Sequence, residues 1–104
     1  MSKVFLLGAN KEIDRAKQVV EVNQIIQMEG YSYDRYVVYD IRKNDWGMAY
    51  NLINLRTKDF QTTDIIRPLK EKFGIGYYYD QDNPTFLDGI EVAILLQQAQ
   101  QQKK

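Results

Sequence analysis

The tract from Tyr33 to Arg56 constrains the fold of this chain more than any other, because two strand-like segments in it flank a turn. The first segment, Tyr33–Lys43, is rich in Tyr, Val and Ile, which fit a pleated and half-buried surface. The turn, Asn44–Gly47, contains Asn, Asp and a glycine that tolerates unusual backbone angles. The returning segment is Met48–Arg56. The tract predicts a β-hairpin, with even-numbered and odd-numbered residues of the first strand on opposite faces.

Signals on either side of the hairpin complete a regular order of strands and helices. The apolar run Lys3–Leu7 predicts a strand, and helical spacing from Asn10 to Met28 predicts a helix that ends at Gly30. Residues 62–73 predict a second helix that buries Leu69 and Phe73, and Ile75–Asp80 predicts another strand. With right-handed crossovers, this order predicts an α+β, ferredoxin-like βαββαβ fold with a four-stranded antiparallel sheet.

A C-terminal helix, from Thr85 or Asp88 to about Gln101, is added to that predicted fold. Residues 90–96 contain six apolar residues and one acid, so the apolar positions spread nearly around the helix. One sheet contact covers only part of that circumference. We therefore expect the helix either to cover the open sheet face or to meet a second subunit, through an interface of Ile90, Ile94, Leu95 and Leu96.

The length of the chain fits one domain. Its 104 residues show no internal repeat and no linker, so we expect a single domain over residues 1–104. Residues 97–104 are rich in Gln and Lys, and we expect this tail to fray. The apolar run near the N-terminus is shorter than the roughly 7 to 15 residues of a secretory signal. No run approaches the roughly 18 apolar residues of a membrane span. We expect a cytoplasmic protein without membrane association.

Charge and missing residue types exclude several classes of function. Lys plus Arg and Asp plus Glu number 14 each, so the chain lacks the cationic excess that a general nucleic-acid binder needs. The chain has no Cys and no His, which excludes thiol catalysis and removes the usual general base and zinc ligand. We therefore expect no catalytic residues, no cofactor and no metal.

Aromatic residues offer one alternative function. Residues 4–8 and 45–48 loosely resemble the first- and third-strand motifs of RNA-recognition domains, although Asn44 and Asp45 replace the basic residue and the glycine. The chain also has eight tyrosines, mostly in predicted strands. Tyrosine favours half-buried strand positions, but exposed rings on a sheet could stack single-stranded bases. The rings considered for such a patch are Tyr36, Tyr39, Tyr50 and Tyr78.

Acidic residues offer another alternative. Asp80 and Asp82 begin like a calcium loop, but Pro84 replaces the next ligand and no glycine follows at the sixth position. Asp88 and Glu91 lie near the start of the C-terminal helix, where acids complement the helix dipole. A small metal-dependent enzyme that uses Asp80 and Asp88 therefore stays open beside the structural explanation.

One tract carries a resemblance. Phe73–Asp80, Asn83-Pro84 and Glu91–Leu95 together resemble small bacterial proteins of unknown function found near mobile elements. The resemblance spans Phe73 to Leu95 only, and it implies a bacterial origin without an activity or a site residue. Our leading hypothesis is a non-enzymatic interaction module that self-associates through the C-terminal helix, with a protein rather than a nucleic acid as its partner.

Overall fold

Six strands form one mixed β-sheet in the structure, a computed structural model that describes residues 18–102. Their order across the sheet is β4-β3-β2-β1-β6-β5, and neighbours pair antiparallel except for the parallel pair of β5 and β6. A 3₁₀ turn, Leu69–Glu71, precedes β6, and a helix, α1, follows it. The elements are β1 (Ile25–Glu29), β2 (Arg35–Asn44), β3 (Gly47–Asn54), β4 (Phe60–Thr63), β5 (Arg67–Pro68), β6 (Gly76–Tyr79) and α1 (Gly89–Gln102).

The predicted ferredoxin-like fold is wrong. The described residues form a six-stranded mixed sheet with one C-terminal helix, whereas the prediction had four antiparallel strands and two packed helices. The end of the predicted first helix is β1, and residues 62–73 run through the end of β4, β5 and the 3₁₀ turn. The predicted strand Lys3–Leu7 and the start of the first predicted helix lie outside the described residues.

Intrinsic preferences explain why residues 25–28 and residues 62–73 do not form the predicted helices. Residues 62–66 read Thr-Thr-Asp-Ile-Ile, and Pro68 follows shortly after them. β-branched side chains favour strands, and proline lacks the backbone N–H that the interior of a helix needs. Ile25 and Ile26 of β1 are also β-branched, and they follow Asn23, which has a positive φ of 80°. The apolar spacing matched a helix, but residue preference and strand pairing determined the structure.

The predicted hairpin is confirmed as β2 and β3, although a bulge changes which residues share a face. The pairing runs from Tyr36 with Asn54 to Asn44 with Gly47, and its register shifts between Val38 and Asp40. An extra residue in one strand reverses the alternation of side chains beyond it. Residues 36 and 38 therefore share a face with residue 41, and not with residues 40 and 42 as strict alternation predicted.

The short link between β4 and β5 requires the sheet to curl. In a flat sheet, these two edge strands would lie about 24 Å apart, at roughly 4.8 Å per spacing. Only residues 64–66 join them, and the four steps from Thr63 to Arg67 reach at most about 14 Å. The two edges therefore approach each other, and Ile66 in the short link is buried in the same core as Ile26 of β1 and Tyr36 of β2.

The concave side of this curled sheet holds the larger core. The rings of Tyr36 and Tyr77 meet edge to face with their centroids 5.3 Å apart, although β1 lies between their two strands. Burial, with Tyr36 as a neighbour, raises the pKa of Tyr77 to about 12. Met28, Ile41, Tyr77 and Tyr79 border this core at partly buried positions. Its buried members are Val20, Ile26, Tyr36, Val38, Met48, Tyr50, Leu52 and Ile66.

Helix α1 covers the opposite, outer face of the sheet, where its side chains pack against Val37 and Ile53. The predicted C-terminal helix is therefore confirmed. Fewer of its apolar side chains point outward than the sequence predicted, because most of them pack against the sheet. The helix has 14 residues, and no helix within residues 18–102 is long and apolar enough to cross a bilayer. The side chains that face the sheet recur at helical spacing: Val92, Leu95, Leu96 and Ala99.

Two substitutions test this arrangement of the core. Leu52→Ala removes a fully buried side chain and should lower the free energy of unfolding by about 2 to 5 kcal/mol. Phe73, which was predicted to be buried, is 88% exposed, so Phe73→Ala should change the free energy of unfolding by less than about 0.5 kcal/mol. Urea unfolding measures both changes. An equal loss in the two variants would place Phe73 in the core and contradict this fold.

Candidate interaction surface

Four large apolar side chains are exposed at one end of the sheet, which we call the aromatic end: Tyr31, Tyr33, Phe73 and Ile75. Their exposed fractions are 83%, 72%, 88% and 54% in that order. The first two lie in the loop between β1 and β2, and the other two lie just before β6. Because β1 pairs with both β2 and β6, both loops leave the sheet at the same end.

The two loops of the aromatic end contact each other. Gly30 has a φ of +119°, and a Cβ atom at that position would lie 2.5 Å from Cγ1 of Ile75. The close approach and the positive φ both require glycine. Lys72 reaches back from the second loop to Glu29 at the end of β1, with Nζ 3.0 Å from Oε1. The hydrogen bond and the charge of Glu29 raise the pKa of Lys72, and the nearby Tyr33 adds to this effect.

A buried tyrosine holds Phe73 in its exposed position. Tyr78 of β6 is fully buried, and its hydroxyl oxygen accepts the backbone N–H of Phe73 at 3.1 Å. The same hydroxyl lies 3.0 Å from the carbonyl oxygens of Phe73 and Gly74, to either of which it can donate its proton. The loop that carries Phe73 is therefore attached to the sheet through its backbone, and the aromatic side chain takes no part in the attachment.

Glu29 supplies a second attachment. Its carboxylate is largely buried and accepts hydrogen bonds from Lys72 Nζ and from Gln27 Nε2. These hydrogen bonds, the one from Lys72 first, hold the pKa of Glu29 below its ordinary value of 4.5 against the opposing effect of burial. The carboxylate therefore stays ionised and neutralises Lys72 beside the aromatic rings.

The base of the β1–β2 loop is fixed by Asp34. Its two carboxylate oxygens accept two hydrogen bonds from Arg56, at 2.9 and 2.7 Å, and one from Asn54 Nδ2 at 3.0 Å. The guanidinium of Arg56, followed by the amide of Asn54, lowers the pKa of Asp34 to about 2. A two-pronged bond of this kind fixes geometry as well as charge. Asp34 therefore anchors the C-terminal end of the loop that presents Tyr31 and Tyr33.

The residues proposed from the sequence for a stacking patch are not together on the surface. Tyr36, Tyr50 and Tyr78 are buried, and Tyr39 is half-buried against Phe60, with ring centroids 5.6 Å apart. Base stacking requires an exposed ring face. These four tyrosines therefore offer no stacking surface.

The proposed helix interface is divided by the structure. Leu95 and Leu96 are half-buried against the sheet of their own chain. Ile90 and Ile94 point outward, with exposed fractions of 77% and 49%. Only the two isoleucines of the four predicted interface residues are therefore available to a partner.

The acids considered for a metal or catalytic site have local structural roles. Asp80 Oδ1 accepts the backbone N–H groups of Asp82 and Asn83, at 3.0 and 2.9 Å. Glu91 accepts the N–H of Asp88 at 3.2 Å, one half of a helix capping box. Asp80 also borders an open cavity of about 360 Å³, together with Gln24 and Phe86. Residues 18–102 contain no group of three or more acidic, His or Cys side chains arranged to hold a metal.

Sequence reasoning missed the aromatic end because exposure there depends on contacts distant in the chain. Phe73 occupies an apolar position of a predicted helix, so it was expected inside. One local signal was present in residues 30–34, Gly-Tyr-Ser-Tyr-Asp. Loops rich in Tyr, Ser and Gly are typical of the binding loops of antibodies, where tyrosine supplies large contact area at low entropic cost.

Comparisons with protein-family models, curated proteins and solved structures found no match to this chain. The resemblance of residues 73–95 to small bacterial proteins therefore stays a prediction. The role of the aromatic end has to follow from its own geometry and chemistry.

The hydroxyl of Tyr78 can be tested by its removal. Tyr78→Phe leaves the backbone N–H and carbonyls of the Phe73 loop without their partner, which should lower the free energy of unfolding by about 1 to 3 kcal/mol. Hydrogen exchange at the Phe73 amide should become faster. Tyr33→Phe, which removes an exposed hydroxyl from the same end, is the matched control and should change neither quantity. Unaltered exchange at Phe73 in the Tyr78 variant would contradict the attachment.

The Asp34 carboxylate predicts a specific dependence on pH. Its folded pKa, about 2, lies below the ordinary 3.8, so its contribution to stability is present above that ordinary value and is lost as the pH falls toward 2. Asp34→Asn should therefore be less stable than wild type near neutral pH and lose less stability between about pH 4 and pH 2. Urea unfolding across that range measures the difference. Asp45→Asn, in the exposed hairpin turn, is the control, and an identical profile for both variants would contradict the role of Asp34.

Proposed function

We propose that this chain is a small, non-enzymatic interaction module that binds a protein surface. The observation that carries the proposal is the aromatic end, where three aromatic side chains and one isoleucine are exposed on two attached loops. Monomeric proteins rarely expose contiguous apolar surface of more than a few hundred Å², and larger patches are typical of binding sites. Tyr and Phe are also among the side chains enriched at protein interfaces.

The chemistry around the aromatic rings supports a protein partner over a nucleic acid. The nearest lysine, Lys72, is paired with Glu29, and Arg56 is paired with Asp34. Binding to a phosphate backbone gains its affinity from unpaired cations that replace counterions. Lys72 and Arg56 are neutralised locally and so supply little of that affinity, whereas aromatic contact with a protein does not need it.

Self-association remains part of the proposal, with an alternative contact on the C-terminal helix through the outward pair Ile90 and Ile94. They lie four residues apart and therefore on one stripe of the helix. A bacterial, cytoplasmic setting also remains part of the proposal. The helix stripe has two exposed apolar side chains against four at the aromatic end, so we give the aromatic end priority.

Site-specific photo-crosslinking tests this function whatever protein the partner is. A benzoylphenylalanine residue is placed at Phe73, at Ile90 or at Lys43, an exposed position on the hairpin that serves as control. Irradiation of the native host cells should give discrete protein adducts from position 73, and from position 90 if the helix also binds. The control should give none. An absence of adducts from both test positions, or the same pattern from Lys43, would contradict an interaction module.

A further inference from the structure

The exposed area of the aromatic end is close to the area that each partner buries in the smallest specific interfaces. A buried aromatic side chain removes about 150 to 250 Å² from water, so these four side chains together offer on the order of 500 Å². Two such surfaces facing each other would bury on the order of 1,000 Å², close to the lower limit of roughly 1,200 Å² for specific interfaces. Backbone and rim atoms between the side chains add to that area. The aromatic end therefore suffices for a modest complex with a surface of its own size.

Charge at the rim fits a partner with the same surface. The ion pair of Lys72 with Glu29 and that of Arg56 with Asp34 cancel locally, so two copies brought face to face do not oppose unpaired charges at these positions. The whole chain has a formal net charge of zero, so no long-range repulsion separates two copies.

From these two observations we infer that a second copy of this chain docks on the aromatic end, in a symmetric dimer related by a two-fold axis. The inference rests on the proposed function, because it names the partner of that same surface. In a symmetric contact, the same patch on both copies must be complementary to itself. Aromatic rings satisfy this requirement, because like rings pack in offset or edge-to-face pairs.

The inferred dimer has Phe73 as the member of the aromatic end closest to the two-fold axis. It is the most exposed of the four side chains, and its loop is attached through the backbone to the Tyr78 hydroxyl. A residue at a two-fold axis meets its own copy, so a charge introduced there opposes the same charge. Opposite charges introduced on two separate chains would instead attract each other.

Sedimentation equilibrium of the full chain, from about 10 micromolar to about 1 millimolar, measures the association. We expect the mass to rise from 12.3 kDa toward twice that value as the concentration increases. Phe73→Asp and Phe73→Lys should each weaken the dimer at least about tenfold, which corresponds to one lost contact of moderate strength. An equimolar mixture of the two variants should restore the dimer.

Two control variants separate this inference from its rivals. Trp46→Asp makes the same chemical change at another exposed aromatic residue, in the turn between β2 and β3, and should leave the dimer intact. Ile90→Asp makes a similar change on the helix stripe and should also leave it intact. At concentrations too low for the dimer to form, thermal melting of each variant should match wild type, because all three positions are exposed.

Each alternative outcome overturns the inference in a distinct way. A chain that stays at 12.3 kDa at every concentration has no second copy as partner, although a photo-crosslink from Phe73 to another protein would preserve the proposed function. A dimer that survives both charges at Phe73 but is lost in Ile90→Asp is formed by the helix. Failure of the mixed variants to associate, when each alone is monomeric and folded, would remove Phe73 from the axis and contradict the symmetric contact.

Discussion

The short connection between β4 and β5 is the constraint on which the rest of this structure depends. It joins the two edges of a six-stranded sheet with residues 64–66, so the sheet has to curl. Curling brings rings from separate strands together on the concave side, as Tyr36 and Tyr77 do. The outer, convex face of the curled sheet is covered by α1. The position of the 3₁₀ turn after β5 then places the Phe73 loop beside the end of β1.

The sequence allowed the prediction of the elements that depend on local pattern. The hairpin of β2 and β3 follows from alternation around a turn, and α1 follows from helical spacing after Asp88. The fold as a whole could not be predicted in the same way, because residues 18–28 and 62–73 have helical apolar spacing but strand preferences. Pairing with distant strands determined that these residues do not form the predicted helices. The spacing of apolar residues along the chain does not contain that information. The bulge near Tyr39 is also set by pairing with β3.

The candidate surface was harder to predict than the hairpin, because the same residue types serve both the core and the surface. Tyr50 and Tyr31 are both tyrosines near strands, yet one is 2% exposed and the other 83%. The difference arises from the curl, which encloses residues of the central strands and leaves the loops at the sheet end open. For Phe73, the apolar spacing indicated burial, whereas the Tyr78 hydroxyl and the Gly74 turn hold it outside.

The cost of that exposure is the strongest physical argument that the aromatic end binds something. Burying a Phe side chain contributes roughly 1.5 to 3 kcal/mol, and a domain of this size has a net stability of only about 5 to 15 kcal/mol. A chain selected for stability alone would gain by packing Phe73 inside or by replacing it with a polar residue. Here the hydroxyl of a fully buried tyrosine and the ion pair of Lys72 with Glu29 instead hold its loop in an orientation that leaves the ring in solvent. Such an arrangement raises affinity for a partner, because less conformational freedom is lost when the rings are covered.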